Sequence, residues 1–323
     1  MPTSLQYVYK QIYILTCLSS WLLYILVLSA LIRHRKGQLK SSFFTMFAAL
    51  SAVDIVRYPF YTFIYDIPQL PNVEWLMPFY VNLNGNLVSA VFLSQGLALN
   101  LARALQVALG VNRAYAMKKP FSYKQYWTAK RTRTVLIVTT VISVGASYMY
   151  IVVTVAVGIR FRVHTLRDNS TTVALSGNWA PDSFVTVSRY FVYQQAVSVL
   201  PLCALLLVYG AAVFYAYRNA NQVGPAKAAN STSANDAKPS KKLSMSAIDI
   251  RAEKKLTACM CALAMPTLFS CFFFLYNFFF PTNFFEDVYN YYLILTSVLM
   301  SECLANPAVL ILTSENLRRC LFS

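Results

Sequence analysis

The side chains of this 323-residue chain that are able to act chemically are mostly charges in apolar surroundings. Asp54 and Arg57 stand three apart, which puts them on one face of a helix. Arg103 precedes Arg113 by ten residues, and Glu302 stands one turn before Asn306-Pro307. Such groups can pair with one another, pass a proton, or grip a partner. The residue sets of enzymes are missing. A metal hydrolase needs clustered His and carboxylates, and the two histidines, His34 and His164, lie far apart in different connectors. No G-x-S-x-G supplies a serine nucleophile. Cys259 and Cys261 are two apart and project from different helix faces, which makes a poor metal pair. The expectation is a protein that is not an enzyme and that carries no metal and no cofactor.

The elements that position these residues are seven long apolar runs, at about 10–32, 41–65, 84–116, 134–157, 185–217, 256–280 and 286–313. Each reaches the roughly 20 residues that a helix needs to cross a hydrocarbon layer of about 30 Å. Unpaired backbone amides are too costly in lipid, so continuously apolar runs of this length are read as α-helices. Mean hydropathy of +0.49 and 12% charged residues agree. The expected fold is an all-α membrane protein, a seven-transmembrane helix bundle forming a single domain over residues 1–323.

Charge is sorted by side. The connectors after spans 1, 3 and 5, with the tail, hold 20 of the 28 Lys and Arg, against Asp236, Asp249, Glu253 and Glu315. That side nets +16, equal to the formal charge of the whole chain. By the positive-inside rule it is cytoplasmic, which puts the N-terminus outside and the C-terminus inside. The basic residues are short-loop residues beside spans, so they read as topology signals and contacts with anionic membrane lipid, not as a nucleic-acid surface. The first span lacks a basic leader and a small-residue cleavage site and reads as a signal anchor. Asn169-Ser170-Thr171 is a glycosylation sequon in the loop after span 4, on the side expected outside. The stretch 219–246, rich in Ala, Ser, Asn and Lys, reads as a flexible cytoplasmic loop. The short tail 314–323 reads as an amphipathic helix on the membrane with Leu317, Leu321 and Phe322 inward, and Cys320 beside Arg318-Arg319 suits palmitoylation. No span interior offers a lysine for a retinal Schiff base.

Ionised groups deep in a bundle are costly and normally pair there. Asp54, Arg57, Arg103 and Glu302 are therefore expected to form one buried network of two acids and two bases. Pro59, Pro201, Pro266 and Pro307 fall in spans 2, 5, 6 and 7 and make kinks that suit a conformational switch. With these features alone, a transporter or channel subunit using the buried charges as a pathway is an alternative.

Three motifs discriminate. Span 3 ends Gly110-Val-Asn112-Arg113-Ala-Tyr115-Ala-Met-Lys-Lys-Pro120, span 7 ends Glu302-Cys-Leu-Ala-Asn306-Pro307-Ala-Val-Leu310, and span 2 holds Leu50-Ser-Ala-Val-Asp54. With seven spans and an external N-terminus, these resemble the G-protein-coupled receptor superfamily. The Asn before the Arg, the short N-terminus and the Phe- and Tyr-rich spans look most like nematode serpentine chemoreceptors of the Srg-like group, the Srg or Srv class. Asn112 stands where related receptors carry an acid, and Leu310 where they often carry a Tyr.

The resemblance implies a chemosensory receptor in the plasma membrane, in sensory cilia for such a class, with a small-molecule ligand and a heterotrimeric G protein as partners. Asn112, Arg113 and Tyr115 would meet the G protein. Asn112 cannot give Arg113 a charged hold, so the resting lock is expected elsewhere, with Glu253 or Asp249 as candidates. Asp54, Arg57, Arg103, Glu302, Asn306, Pro307 and Pro266 would form the switch, span 6 swinging about Pro266 when ligand binds. Two arginines beside Asp54 argue against the sodium ion that many rhodopsin-like receptors hold there. Gln95 lies eighteen residues before Arg113, five turns on the same face and about 27 Å toward the outside. It would open a ligand pocket with Asn100, Tyr193, Gln194, Tyr276, Tyr292 and Thr296. Outer span 3 has no acid to hold an amine, so a small, neutral ligand fits best.

Overall fold

Burial along the first helix repeats every three or four residues. In the computed structural model, Tyr13, Cys17, Ser20, Tyr24, Val27 and Leu31 are buried, while Leu15, Leu18, Leu22 and Leu26 form an exposed apolar stripe between them. Water would not tolerate such a stripe, and lipid covers it without cost. The structure describes residues 4–63 except 35, 36 and 38; 67–69; 74–83; 85–152 except 149; 158; 160–165; 171–176; 200–218 except 202 and 216; eight positions between 258 and 272; 301; and 304–322.

The helices are α1 (Ser4–Arg33), α2 (Ser42–Tyr61), α3 (Met77–Val81), α4 (Gly85–Lys118), α5 (Pro120–Tyr126) and α6 (Ala129–Ala146). They continue with α7 (Cys203–Tyr215), α8 (Leu304–Thr313) and α9 (Glu315–Phe322). Short 3-10 turns at Ile67–Gln69 and Glu74–Leu76 join α2 to α3. Among the described residues, four stretches are long and apolar enough to cross a membrane: Gln11–Arg33, Ser42–Tyr61, Gly85–Lys118 and Ala129–Val152. They correspond to spans 1 to 4, α7 and α8 to parts of spans 5 and 7. The rest of spans 5 to 7, apart from the positions named, and the loop 219–246 lie outside the described residues.

The fourth span starts earlier than the apolar run at 134 suggests. Thr128 caps α6 by accepting from the Arg131 N–H at 3.4 Å, so Lys130, Arg131 and Arg133 form its first turns. The preceding connector is not all loop, since Pro120 opens α5 at a position where its missing N–H costs nothing. Among the described residues one strand pair joins the helices. β1 (Arg160–Thr165) and β2 (Thr171–Ser176) run antiparallel, with Arg160 opposite Ser176 and Thr165 opposite Thr171.

Packing centres on α4, which lies against α2 on one side and α6 on the other, with α1 against α2. At the Arg113 end the core comprises Phe43, Phe47, Leu50, Leu105, Leu109, Leu205 and Leu310, with Leu317 of α9 closing it. At the opposite end Tyr80, Val88, Phe92, Tyr150 and Phe161 form a second cluster. There β1 packs on α3 through Phe161, whose ring meets Tyr80 at 4.9 Å. Tyr80 donates to the Phe63 carbonyl at 3.1 Å, and burial pushes its phenol up to about 12, so it stays a neutral donor.

Two close approaches need glycine. A Cβ on Gly96 would stand 2.5 Å from Cδ1 of Tyr150, and one on Gly110 would stand 2.8 Å from Cγ1 of Val208. These absences of a side chain set how near α4 lies to its neighbours. Pro59 has the complementary effect. It lacks the N–H that would bond the Ile55 carbonyl within α2, and Trp21 of α1 donates its Nε1–H to that oxygen at 2.9 Å. A carbonyl left unpaired in lipid would cost about 1–3 kcal/mol, so the α1–α2 contact offsets the proline.

Candidate functional site

The last turns of α4, the first turn of α2 and the middle of α5 meet around Arg113. Its side chain is among the largest fully buried ones, at 1% exposure. The guanidinium carbon lies 4.7 Å from the Phe43 ring centre and 5.4 Å from that of Tyr123. Arg113 donates from Nε (3.1 Å) and Nη2 (2.6 Å) to Oδ1 of Asn112, and from Nη2 to the Tyr123 hydroxyl at 2.7 Å.

The acceptors are themselves ordered. Asn112 donates its Nδ2 to Ser42 Oγ at 3.1 Å, and the Tyr123 hydroxyl donates to Asn112 Oδ1 at 3.0 Å. Ser42 Oγ and the Tyr123 hydroxyl are 2.8 Å apart. Tyr123 has one proton and spends it on Asn112, so Ser42 is the donor in that contact. Asn112, Ser42 and Tyr123 thus close a ring of hydrogen bonds in which each donates to the next, and Arg113 donates into two of its oxygens.

Asn112 itself thus forms part of the hold on Arg113 among the described residues. The amide is a neutral acceptor, and its oxygen and the Tyr123 hydroxyl give the N–H donors of Arg113 two acceptors of fixed geometry. Glu253 and Asp249 lie outside the described residues. Tyr123 and Ser42 are what sequence reasoning missed. Pro120 signals a helix start, and a tyrosine one turn into a helix that follows so closely on α4 can fold back onto it. Tyr115 does not join the ring. It stacks on Tyr126 of α5 at 4.4 Å, and the Arg131 guanidinium lies over the Tyr126 ring at 4.0 Å. Tyr115 therefore helps seat the helix that carries Tyr123.

A second polar group lies deeper. Asp54, 1% exposed, accepts from the Tyr24 hydroxyl at 2.9 Å and from Asn306 Nδ2 at 3.4 Å, and its other oxygen is 3.6 Å from Arg57 Nε. Arg57 donates from Nη2 to the Tyr58 hydroxyl at 2.6 Å. Thus α1, α2 and α8 are joined at one carboxylate. Of the expected network, Asp54 and Arg57 meet, and Asn306 joins them. Tyr24 was missed, although it sits on the buried stripe of α1. Arg103 is buried at 3%, so neither it nor Arg57 reaches outward to lipid headgroups. Glu302 lies outside the described residues. Pro307 is buried in α8, and Pro266 is half-buried.

On the half of α4 away from Arg113, Gln95 is half-buried and Asn100 is buried, its Nδ2 donating to Ser147 Oγ at 3.0 Å. Tyr193, Gln194, Tyr276, Tyr292 and Thr296, expected beside them, lie outside the described residues, as does Asn169. In the tail, Leu317 and Cys320 face the core beside α1, and Phe322 is 83% exposed. The inward face is therefore set by the Leu317–Cys320 spacing and not by Phe322. The Cys320 thiol is 9% exposed, so acylation there requires α9 to leave its seat. Arg318 holds that seat by donating to the Ile311 and Leu312 carbonyls at the end of α8. Among the described residues no three His, Cys, Asp or Glu gather to hold a metal.

The model of the family described as serpentine type 7TM GPCR chemoreceptor Srv matches residues 13–323. No curated protein matches the chain.

Proposed function

We propose, on the premise that the chain belongs to the Srv family of serpentine seven-transmembrane chemoreceptors, that it couples a small neutral ligand to a heterotrimeric G protein through Arg113. Family membership makes it a multi-pass membrane protein with a chemoreceptor role. The observation that carries the finer reading is the ring around Arg113. A guanidinium that is 1% exposed and bonded to Asn112 and Tyr123 cannot at the same time grip a partner. The described arrangement is then a resting one, and signalling needs α5 and the helix ends to separate.

The mechanism is a shift of population. Ligand enters the outer half of the bundle beside Gln95 and Asn100, with Tyr193, Gln194, Tyr276, Tyr292 and Thr296 as further lining. It favours an arrangement in which span 6 swings about Pro266. The Asp54 junction, with Arg57, Arg103, Glu302, Asn306 and Pro307, transmits the change between α1, α2 and α8. Arg113 is released from the ring and meets the G protein. Topology follows from charge: N-terminus and Asn169 outside, basic face and tail in the cytoplasm, in the plasma membrane and the cilia of a sensory cell.

Arg113→Ala tests the coupling. Nucleotide exchange on a co-expressed promiscuous G protein is expected to vanish, while the variant keeps surface expression and ligand binding. Undiminished exchange in that variant overturns the assignment.

A further inference from the structure

At the end of α6, two serine hydroxyls give their protons to the helix in a fixed order. Ser143 Oγ donates to the Thr139 carbonyl at 2.7 Å, and Ser147 Oγ donates to the Ser143 carbonyl at 2.7 Å. Having given its only proton to the helix, Ser147 presents lone pairs to α4. Asn100 must answer with its amide nitrogen, at 3.0 Å. The amide cannot flip without setting two acceptors against each other. Its Oδ1 is thereby locked as an acceptor, and that oxygen is buried with no hydrogen-bond partner. Asn100 is 5% exposed and Ser147 6%. Buried acceptors in native proteins are almost always paired, so an orphan of fixed orientation is a place where something else donates.

The surroundings are aromatic. One turn outward, Gly96 lets the Tyr150 ring lie directly on α4, and Phe92 meets that ring at 5.4 Å. From this we infer that Asn100 Oδ1 is the specificity acceptor of the ligand site, selecting an uncharged molecule with an apolar body and one O–H or N–H donor. Ethers, esters and tertiary amides of the same shape are refused, because they leave the oxygen buried and unpaired. The inference rests on the reading that ligand binds beside Gln95 and Asn100.

The test reads the thermal melting of the purified full chain in detergent, with no G protein, so it fails or succeeds independently of coupling. The probes are matched pairs: 2-phenylethanol and its methyl ether, indole and N-methylindole. The donor of at least one pair is expected to give its half-maximal rise in Tm at a concentration at least about tenfold below its capped partner. Asn100→Leu levels the pair. Ser147→Ala, which keeps the amide but frees it to turn, narrows the gap by admitting the ether, and it decides the matter should Asn100→Leu fail to fold. Equal action of donor and capped probes on the wild type, a gap that survives in Asn100→Leu, or an undiminished gap in Ser147→Ala overturns the inference and leaves Oδ1 to water.

Discussion

Removing one oxygen from the ring around Arg113 should switch the protein partly on. Tyr123→Phe keeps the aromatic ring near the guanidinium but deletes the hydroxyl that accepts from Arg113 at 2.7 Å, donates to Asn112 at 3.0 Å and pairs with Ser42 at 2.8 Å. A hydrogen bond to a charged group contributes about 1.5–3 kcal/mol, and the two neutral contacts can re-form in part between Asn112 and Ser42. Tyr123 is half-buried, which favours the lower part of that range, about 2 kcal/mol. At about 1.4 kcal/mol per decade, that is roughly a thirtyfold change in the resting-to-active equilibrium. A population about 1% active at rest would become roughly one-quarter active. Basal nucleotide exchange on the promiscuous G protein, measured at matched surface expression, should rise accordingly. Asn112→Asp supplies the opposite sign, because a carboxylate beside Nη2 at 2.6 Å holds the guanidinium more tightly, and basal exchange should fall. Unchanged basal exchange in Tyr123→Phe, or movement of both variants in one direction, would refute the ring as a resting lock.

Other consequences can be measured separately. Trp21→Phe strands the Ile55 carbonyl that Pro59 leaves free, and should lower stability by about 1–3 kcal/mol, read as a lower Tm; adding Pro59→Ala, whose N–H can take that carbonyl, should recover most of the loss. Gly96→Ala places a methyl carbon 2.5 Å from the Tyr150 ring and should cost about 1–3 kcal/mol by overpacking, with Tyr150→Leu partly restoring the melting temperature. Asn169→Gln should abolish a glycosidase-sensitive gel shift; a shift that persists would place the glycan, or the topology, elsewhere.

How far the chain can be read in advance differs by element. Span 1 is legible because a long apolar run is a sum over neighbours along the chain, and α1 covers it. The start of span 4 is not, because Lys130, Arg131 and Arg133 look like loop residues until the Thr128 cap shows that a helix can begin among them. Asp54 and Arg57 are one turn apart, so their pairing is a local matter and is legible. The partnership of Asp54 with Tyr24 and Asn306 is not, since it depends on how α1 and α8 are turned about their own axes.

The membrane class, the helical periods, the sorting of charge between connectors and the motif residues that lead to a receptor family can be read along the chain. Those follow from hydropathy, charge and spacing, which are properties of residues along a line. That Arg113 bonds Asn112 and Tyr123, that Trp21 takes the carbonyl freed by Pro59, and that Asn100 keeps one oxygen without a partner emerges when the helices pack. Each depends on the depth and rotation of one helix against another. Hydrogen bonds are made over about 3 Å, so a shift of a single residue along a helix, about 1.5 Å, with its rotation of about 100°, is enough to choose a different partner.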